Sequence, residues 1–346
     1  MRVCVVTPYA VDVPGGVQGQ AVRLVEWLRE AGHDAWLVGP GRGGPDGTRH
    51  VGGALSLPAN RSVAPINFSP AAAKRVAGAA AGADLVHLHE PFVPAVSLGA
   101  LLSRTPPKVG TFHADPGPVI RSLYRGGAPV LRRWAARLRA ATAVSPVAQA
   151  AVSGFVEATV VPNGLDVEAF RLDVERHPLR VVFVGRDEAR KGLDVLLDAW
   201  PSVRSRLPEA ELVVVGARRD RRPPGVRFLG WLDEAAKRNQ VAASAVLCAP
   251  NLGGESFGLV LAEGMAAGCA VVASGLSGFA SVVGEAGVLV PPGDVEGLAA
   301  ALVAILADPT RRDRLARAGA ERVQTLDRER VLGGYLSVYE TALAGP

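Results

Sequence analysis

The sequence predicts an α/β protein made of two doubly wound, Rossmann-like domains facing across a cleft. Three observations carry that expectation. Short continuous apolar runs alternate with amphipathic segments from end to end of the 346 residues. The alternation restarts near residue 180, after the turn-rich stretch Val161-Pro162-Asn163-Gly164-Leu165-Asp166. At roughly 150 residues per domain, the length accommodates two. Unbroken apolar runs separated by helices are what a parallel sheet covered on both faces requires.

In the first half, residues 2–7, 35–39, 85–88, 108–112 and 141–145 read as buried strands, each closed by Gly, Pro, His or Ser. Residues 20–31 place Ala21, Val22, Leu24, Val25 and Leu28 at helical spacing, and Gly32 follows as a stop. The second set opens with Arg180-Val181-Val182-Phe183-Val184-Gly185 and continues at 211–216, 226–229, 245–249, 270–274 and 288–290. Its helices fall at 193–206, 257–267, 295–307 and 311–325. The domains are therefore drawn at 1–166 and 167–328, and residues 329–346 carry a last helix suited to cross back onto the first domain. Ligands of such sheets bind beyond the carboxyl ends of the strands, so the cleft is expected there.

Composition narrows the function. Hydrophobic residues make up 49% of the chain, too many for disorder, and no uninterrupted apolar stretch is long enough to cross a membrane. The opening apolar run is too short for a signal peptide, which points to a cytoplasmic protein. Cys4, Cys248 and Cys269 are far apart and form no CxxC, so neither a disulfide framework nor a zinc site is expected. The net charge of +5 suits an anionic partner, either nucleotide phosphates or an acidic membrane surface. Nucleic acid is disfavoured, because aromatics are only 5% of the chain and no zinc-finger spacing occurs.

Candidate chemistry sits at the strand ends. Thr7-Pro8-Tyr9-Ala10-Val11-Asp12-Val13-Pro14-Gly15-Gly16-Val17-Gln18 joins the first strand to the first helix. Paired glycines there let a backbone approach an anion at a helix start, although a tight turn explains them equally well. Gly185-Arg186-Asp187-Glu188-Ala189-Arg190-Lys191-Gly192 puts three cations after the first strand of the second domain, as a diphosphate site requires, or as a solvated charge run would. In Gly253-Gly254-Glu255-Ser256-Phe257-Gly258, the loop carboxylate Glu255 can accept hydrogen bonds from sugar hydroxyls. Glu263, eight residues on in an apolar helix, needs a partner such as a ribose diol, because an unpaired buried carboxylate is costly. His87 and His89 alternate onto one face of a strand, which suits a structural role for one or both. His33, His50 and His177 read as surface residues. His113, taken alone, reads as a satisfied strand-end histidine.

With these motifs in hand, the chain resembles the retaining glycosyltransferases of GT-B fold, family 4 type, over nearly its whole length. The resemblance rests on Glu255 and Glu263 in their Gly-Gly-Glu-Ser-Phe-Gly and Met-Ala-Ala-Gly settings, on Pro162-Asn163-Gly164-Leu165-Asp166, and on Gly185-Arg186 with Arg190-Lys191-Gly192. Within that family, Pro8-Tyr9 with the Asp12–Gln18 segment, His87-Leu88-His89-Glu90-Pro91 and Thr111-Phe112-His113 are similar to the GDP-mannose-dependent mannosyltransferases that act on phosphatidylinositol. The resemblance implies that Gly16, Arg186 and Lys191 hold the donor diphosphate. It implies that Glu255 holds mannose hydroxyls beside Ser256, Phe257 and Gly258, that Glu263 holds the ribose, and that Glu234 and Lys237 line the guanine pocket. Tyr9, Asp12, Gln18 and His113 would face the acceptor. His113, Arg186, Lys191 and Glu255 form the implied catalytic set.

No Asp-x-Asp occurs, so no dedicated metal–diphosphate site is indicated. The sequence requires no cofactor and leaves dependence on a divalent cation open. Transfer at the cytoplasmic face of a membrane is implied, yet residues 69–82, where such enzymes carry a basic helix, hold only Lys74 and Arg75 as cations. Residues 114–119 also lack the basic residue expected after Thr-Phe-His, and Arg121 comes later. Arg132, Arg133, Arg137 and Arg139 around Trp134 offer a second basic segment, membrane-facing or merely solvated. The arginine-rich loop 218–222 is expected in solvent. Rival readings are a GT-B transferase with another nucleotide sugar or acceptor, a nucleotide-sugar 2-epimerase, and a non-catalytic sugar-binding protein. A nicotinamide dehydrogenase is set aside because neither half carries GxGxxG after its first strand.

Overall fold

A computed structural model of the chain describes residues 1–344 apart from 14, 60–61, 105, 114–121, 123, 125 and 221–222, with the backbone alone at 56–59 and 62–64. Pro14, Ala114–Val119, Arg121, Arg221 and Arg222 of the motifs above therefore lie outside the described residues. The chain divides into two compact units, Met1–Asn163 with Glu329–Pro346, and Gly164–Arg328.

The first unit is built on strands β1 (Arg2–Val6), β2 (Asp34–Gly39), β3 (Arg49–His50), β4 (Leu55–Ala59), β5 (Ser62–Ile66), β6 (Leu85–His89), β7 (Lys108–Phe112), β8 (Ala140–Ala143) and β9 (Thr159–Val160). Seven of them form a parallel sheet in the order β3-β2-β1-β6-β7-β8-β9, while β4 and β5 make a separate antiparallel hairpin. Alternation along β1 shows why its apolar run is unbroken. Val3 and Val5 pack with Leu24, Leu28 and Tyr339 on one face, and Cys4 and Val6 pack with Val76, Val86 and Leu101 on the other. The last helix, Arg328–Ala344, supplies Val331, Tyr335, Val338, Tyr339 and Ala342 to the first of these clusters, so it belongs to this unit.

The second unit carries β10 (His177–Val184), β11 (Glu211–Val215), β12 (Val226–Gly230), β13 (Ser244–Ala249), β14 (Ala270–Ser274) and β15 (Gly287–Val290), all parallel, in the order β12-β11-β10-β13-β14-β15. Val182, Val213 and Leu247 face one core, and Val181, Leu212 and Val246 the other. In both sheets the strand order reverses beside the first strand, between β1 and β6 and between β10 and β13. The loops leaving those pairs diverge and open a crevice at their carboxyl ends.

Several elements depart from expectation. The β4–β5 hairpin was hidden by Pro58 and Pro65, which a two-stranded pair outside the main sheet tolerates; on its far side Pro65 only accepts, from the N–H of Ala10 at 2.9 Å. The helix expected at 257–267 starts only at Leu259, since Gly258 has φ +111° and ends the loop in a left-handed backbone. The basic segment 131–139 is helical only as part of Ala128–Ala135, and two of its arginines bind the protein. Arg132 donates to Gly154 O at 3.1 Å and Arg137 to Leu102 O at 3.1 Å. Among the described residues, no helix is long and apolar enough to cross a membrane.

Candidate active site

The crevice of the second unit is set by one close approach. Gly192 has φ +69°, and a Cβ there would fall 1.9 Å from the carbonyl oxygen of Pro250. Only glycine lets the loop after β10 lie against the loop after β13 in this way. The backbone N–H of Leu252 then donates to Arg190 O at 2.8 Å, sealing the two loops together.

This seam brings Arg186, Lys191 and Glu255 into one network. Oε1 of Glu255 accepts hydrogen bonds from Arg190 Nη1 at 2.8 Å, from Asn251 Nδ2 at 2.9 Å and from Lys191 Nζ. Glu188 joins Arg190 at 2.8 Å and Arg186 at 3.0 Å. Three cations thus meet two carboxylates, leaving a local excess of positive charge suited to a diphosphate. The Glu255 side chain is only 17% exposed, so its interactions are weakly screened. Ser256, Phe257 and Gly258 complete the loop, but the Phe257 side chain is buried in the core, correcting the expectation that it faces a donor. Only its backbone is left for that purpose.

A second network lies one helix away. Lys237 Nζ donates to both carboxylate oxygens of the buried Glu263 at 3.1 Å and pairs with Glu234 at 3.0 Å. Lys237 also lies over the Phe170 ring, 5.9 Å from its centroid. Lysine, rather than a sugar, is therefore the partner that Glu263 has within the fold. Arg219, expected in solvent, is held by Asp187 and Asp194.

In the first unit, Gly16 opens the helix Gly16–Glu30 and is exposed, and a Cβ there would meet nothing within 4 Å. Gln18 folds back over Gly15 and is buried. Asp12 lies against Gly41 and lines a cavity of about 570 Å³ with Arg42, His50 and Arg75. Tyr9, Tyr124 and His113 gather around Glu90. The Glu90 carboxylate accepts the His113 backbone N–H at 2.8 Å, and burial together with the Glu90 charge raises the Tyr9 hydroxyl above its ordinary range. Burial followed by the Glu90 charge does the same to Tyr124. His113 is 4% exposed and its ring is 2.7 Å from His89. Burial pushes its pKa down to about 3, against a hydrogen bond with Asn163, so the ring is neutral at ordinary pH.

Four residues with no assigned role prove central: Glu188, Arg190 and Asn251 around Glu255, and Glu90 beside His113. The first three lie inside quoted motifs or next to them, where spacing alone does not tell a bridging side chain from a solvated one. Glu90 sits at φ +47°, a left-handed backbone for a non-glycine residue, which nothing in its sequence neighbourhood signals.

Residues 14–169 match the profile of Glycosyltransferase Family 4, and residues 178–308 match that of Glycosyl transferases group 1. The chain is 40% identical to the phosphatidyl-myo-inositol mannosyltransferase of Mycolicibacterium smegmatis, over 99% of this chain and 94% of that protein. It is 38% identical to the enzyme of the same name from Propionibacterium freudenreichii subsp. shermanii, over 82% of this chain and 79% of that protein. Among solved structures, sucrose-phosphate synthase from Thermosynechococcus elongatus superposes with a TM-score of 0.74 at 21% identity, covering 99% of each chain, which fixes the architecture as GT-B. The chain belongs to the glycosyltransferase family that contains the phosphatidyl-myo-inositol mannosyltransferases.

Proposed function

We propose that the protein transfers mannose from GDP-mannose to the inositol ring of phosphatidylinositol, with retention of anomeric configuration, at the cytoplasmic face of a membrane. The observation that carries this reading is the near-full-length identity to phosphatidyl-myo-inositol mannosyltransferases. The network built on Glu255 supports it chemically. Arg186 and Lys191 take the diphosphate. Lys191 thereby exchanges one anion for another and releases Glu255 to accept hydrogen bonds from mannose hydroxyls. Ser256 and Gly258 offer backbone groups at the start of the helix Leu259–Ala266. Lys237 and Glu234 recognise the base, and Glu263 the ribose. Tyr9, Asp12, Gln18 and His113 hold the acceptor.

In the reaction, the bond from the anomeric carbon to the diphosphate oxygen breaks while the acceptor oxygen bonds to the same face. The acceptor proton passes to the departing diphosphate. His113, neutral and buried, orients the acceptor. Arg186 and Lys191 stabilise the charge that develops on the leaving group, an effect strongest where water is excluded. Membrane attachment is peripheral and uses exposed cations such as Lys74, Arg75 and Arg133.

The test is a matrix of nucleotide sugars against phosphatidylinositol vesicles, with product mass and anomeric configuration measured. The expected outcome is an α-monomannosylated lipid from GDP-mannose alone. Transfer to another acceptor, or epimerised free nucleotide sugar, would overturn the assignment. Sedimentation with acidic vesicles should weaken as salt rises, and none at low salt refutes the attachment.

A further inference from the structure

The first unit contains a column of three histidines, of which the reaction above uses His113 alone. His87 and His89 stack with ring centroids 4.7 Å apart and planes 6° apart, and His89 stacks in turn on His113 at 4.9 Å. The base of the column is fixed. His87 Nδ1 is 2.5 Å from the Tyr339 hydroxyl, and its Nε2 is 2.6 Å from Thr111 Oγ1, which is 2.6 Å from Thr142 Oγ1. The top is fixed by backbone. Glu90 donates its N–H to Thr111 O at 2.8 Å and accepts the His113 N–H on its carboxylate, clamping the ends of β6 and β7 together. Between them, His89 Nδ1 is 2.7 Å from His113 Nε2, and His89 Nε2 is buried with no hydrogen-bond partner among the described residues.

All three rings are neutral at ordinary pH, because burial lowers each of them. A neutral imidazole carries one N–H and one lone pair. If His89 held its proton on Nε2, a buried donor would be left unsatisfied. With the proton on Nδ1, only an acceptor is left without a partner. Orphaned buried N–H groups are the rarer and costlier of the two. His89 therefore donates from Nδ1 to His113 Nε2. With its Nε2 accepting that bond, the neutral His113 ring carries its proton on Nδ1.

We infer that His89 is a positioning residue: it fixes His113 as the Nδ1–H tautomer, so that His113 offers the acceptor hydroxyl a hydrogen-bond donor and no basic lone pair. The inference rests on the reading of His113 as acceptor-binding, but its structural half stands apart from that reading. It assigns His113 a specificity role, that of recognising an oxygen lone pair, and removes it as a proton acceptor in the transfer.

The test uses the full-length protein labelled with nitrogen-15 histidine. The ring nitrogens of His113, assigned by difference with His113→Gln, should report Nδ1 protonated and Nε2 bare. His89→Asn places an amide Nδ2 where the imidazole Nδ1 was and should keep that pattern. His89→Leu should lose it. In transfer assays, His89→Leu should raise the acceptor KM on the order of tenfold, with the donor KM unchanged, and His89→Asn should restore it. A proton on Nε2 of His113 in the wild type overturns the inference, as does a folded His89→Asn that behaves like His89→Leu. If His89→Leu does not fold, the spectra of the wild type and His89→Asn decide alone. If the wild type fails to mannosylate phosphatidylinositol, the proposed function fails while the tautomer is still read.

Discussion

Replacing Glu255 by glutamine separates two jobs of one carboxylate, the pairing with cations that the structure shows and the sugar contact of the proposed function. The substitution keeps the shape and removes the charge that Arg190, Lys191 and Asn251 approach. A hydrogen bond to a charged group contributes about 1.5–3 kcal/mol. Two sugar hydroxyls that lose such a bond in the transition state account for roughly 3–6 kcal/mol, so kcat/KM for mannosyl transfer should fall on the order of a hundred- to ten-thousandfold. Without donor, Lys191 loses its carboxylate while Arg190 keeps Glu188. Those side chains are 10–18% exposed, between the surface and the deeply buried regimes. The cost is about 1–2 kcal/mol, a fall of roughly 3–6 °C in Tm. GDP, which has no sugar, should bind the variant as tightly as the wild type or more so, because Lys191 no longer has a competing anion. Calorimetric titration with GDP and mass-resolved product formation measure both. If GDP affinity falls as far as turnover, Glu255 is a scaffold for the phosphate-binding cations and the sugar contact is refuted. Turnover within threefold of the wild type refutes the site altogether.

Lys237→Met leaves the buried carboxylate of Glu263 without its amine, and removing one partner of a buried pair costs about 3–5 kcal/mol, so thermal denaturation should show a Tm lower by roughly 6–15 °C. Adding Glu263→Gln to that variant should recover a large part of the loss, and an unchanged Tm in the single variant would remove the pair from the stability of this unit. Gly192→Ala forces a Cβ into the Pro250 carbonyl at a left-handed backbone; it should reduce soluble yield and abolish GDP binding, and a well-folded variant with normal affinity would contradict the seam. Acid sensitivity follows from the histidine column. His87 and His113 titrate at about 3 in the fold and near 6.5 when exposed, so between those values the unfolded chain binds more protons. The stability they contribute is complete above pH 6.5 and is lost as pH falls toward 3, amounting at pH 5 to on the order of 2 kcal/mol for each. Melting curves from pH 7.5 to 5 should show this, with a shallower slope in His113→Gln; equal slopes would show that the ring is not buried in its neutral form.

The sheets were legible because burial on both faces leaves a plain mark. Val3–Val6 and Val181–Phe183 are unbroken apolar runs, and the structure divides their side chains between two cores. Where packing does not leave that mark, legibility fails. β3, at the sheet edge, and β9 are two exposed residues each, and the β4–β5 hairpin is punctuated by proline. The helix Ser277–Val283 lacks a polar face long enough to establish a period.

The site was legible to the extent that it is local. Arg186, Lys191, Glu255 and Glu263 stand at fixed intervals from strand ends and glycines, and a resemblance can be carried over such intervals residue by residue. What joins them is not local. Arg190 reaches Glu255 across 65 positions, Lys237 reaches Glu263 across 26, and His87 reaches Tyr339 across 252. A sequence motif therefore identifies charges that a ligand can use and is silent on which charges already neutralise one another. That second fact bears directly on mechanism. Under the proposed function, a diphosphate that draws Lys191 away frees Glu255 for a sugar, and donor binding and the freeing of that carboxylate become one event.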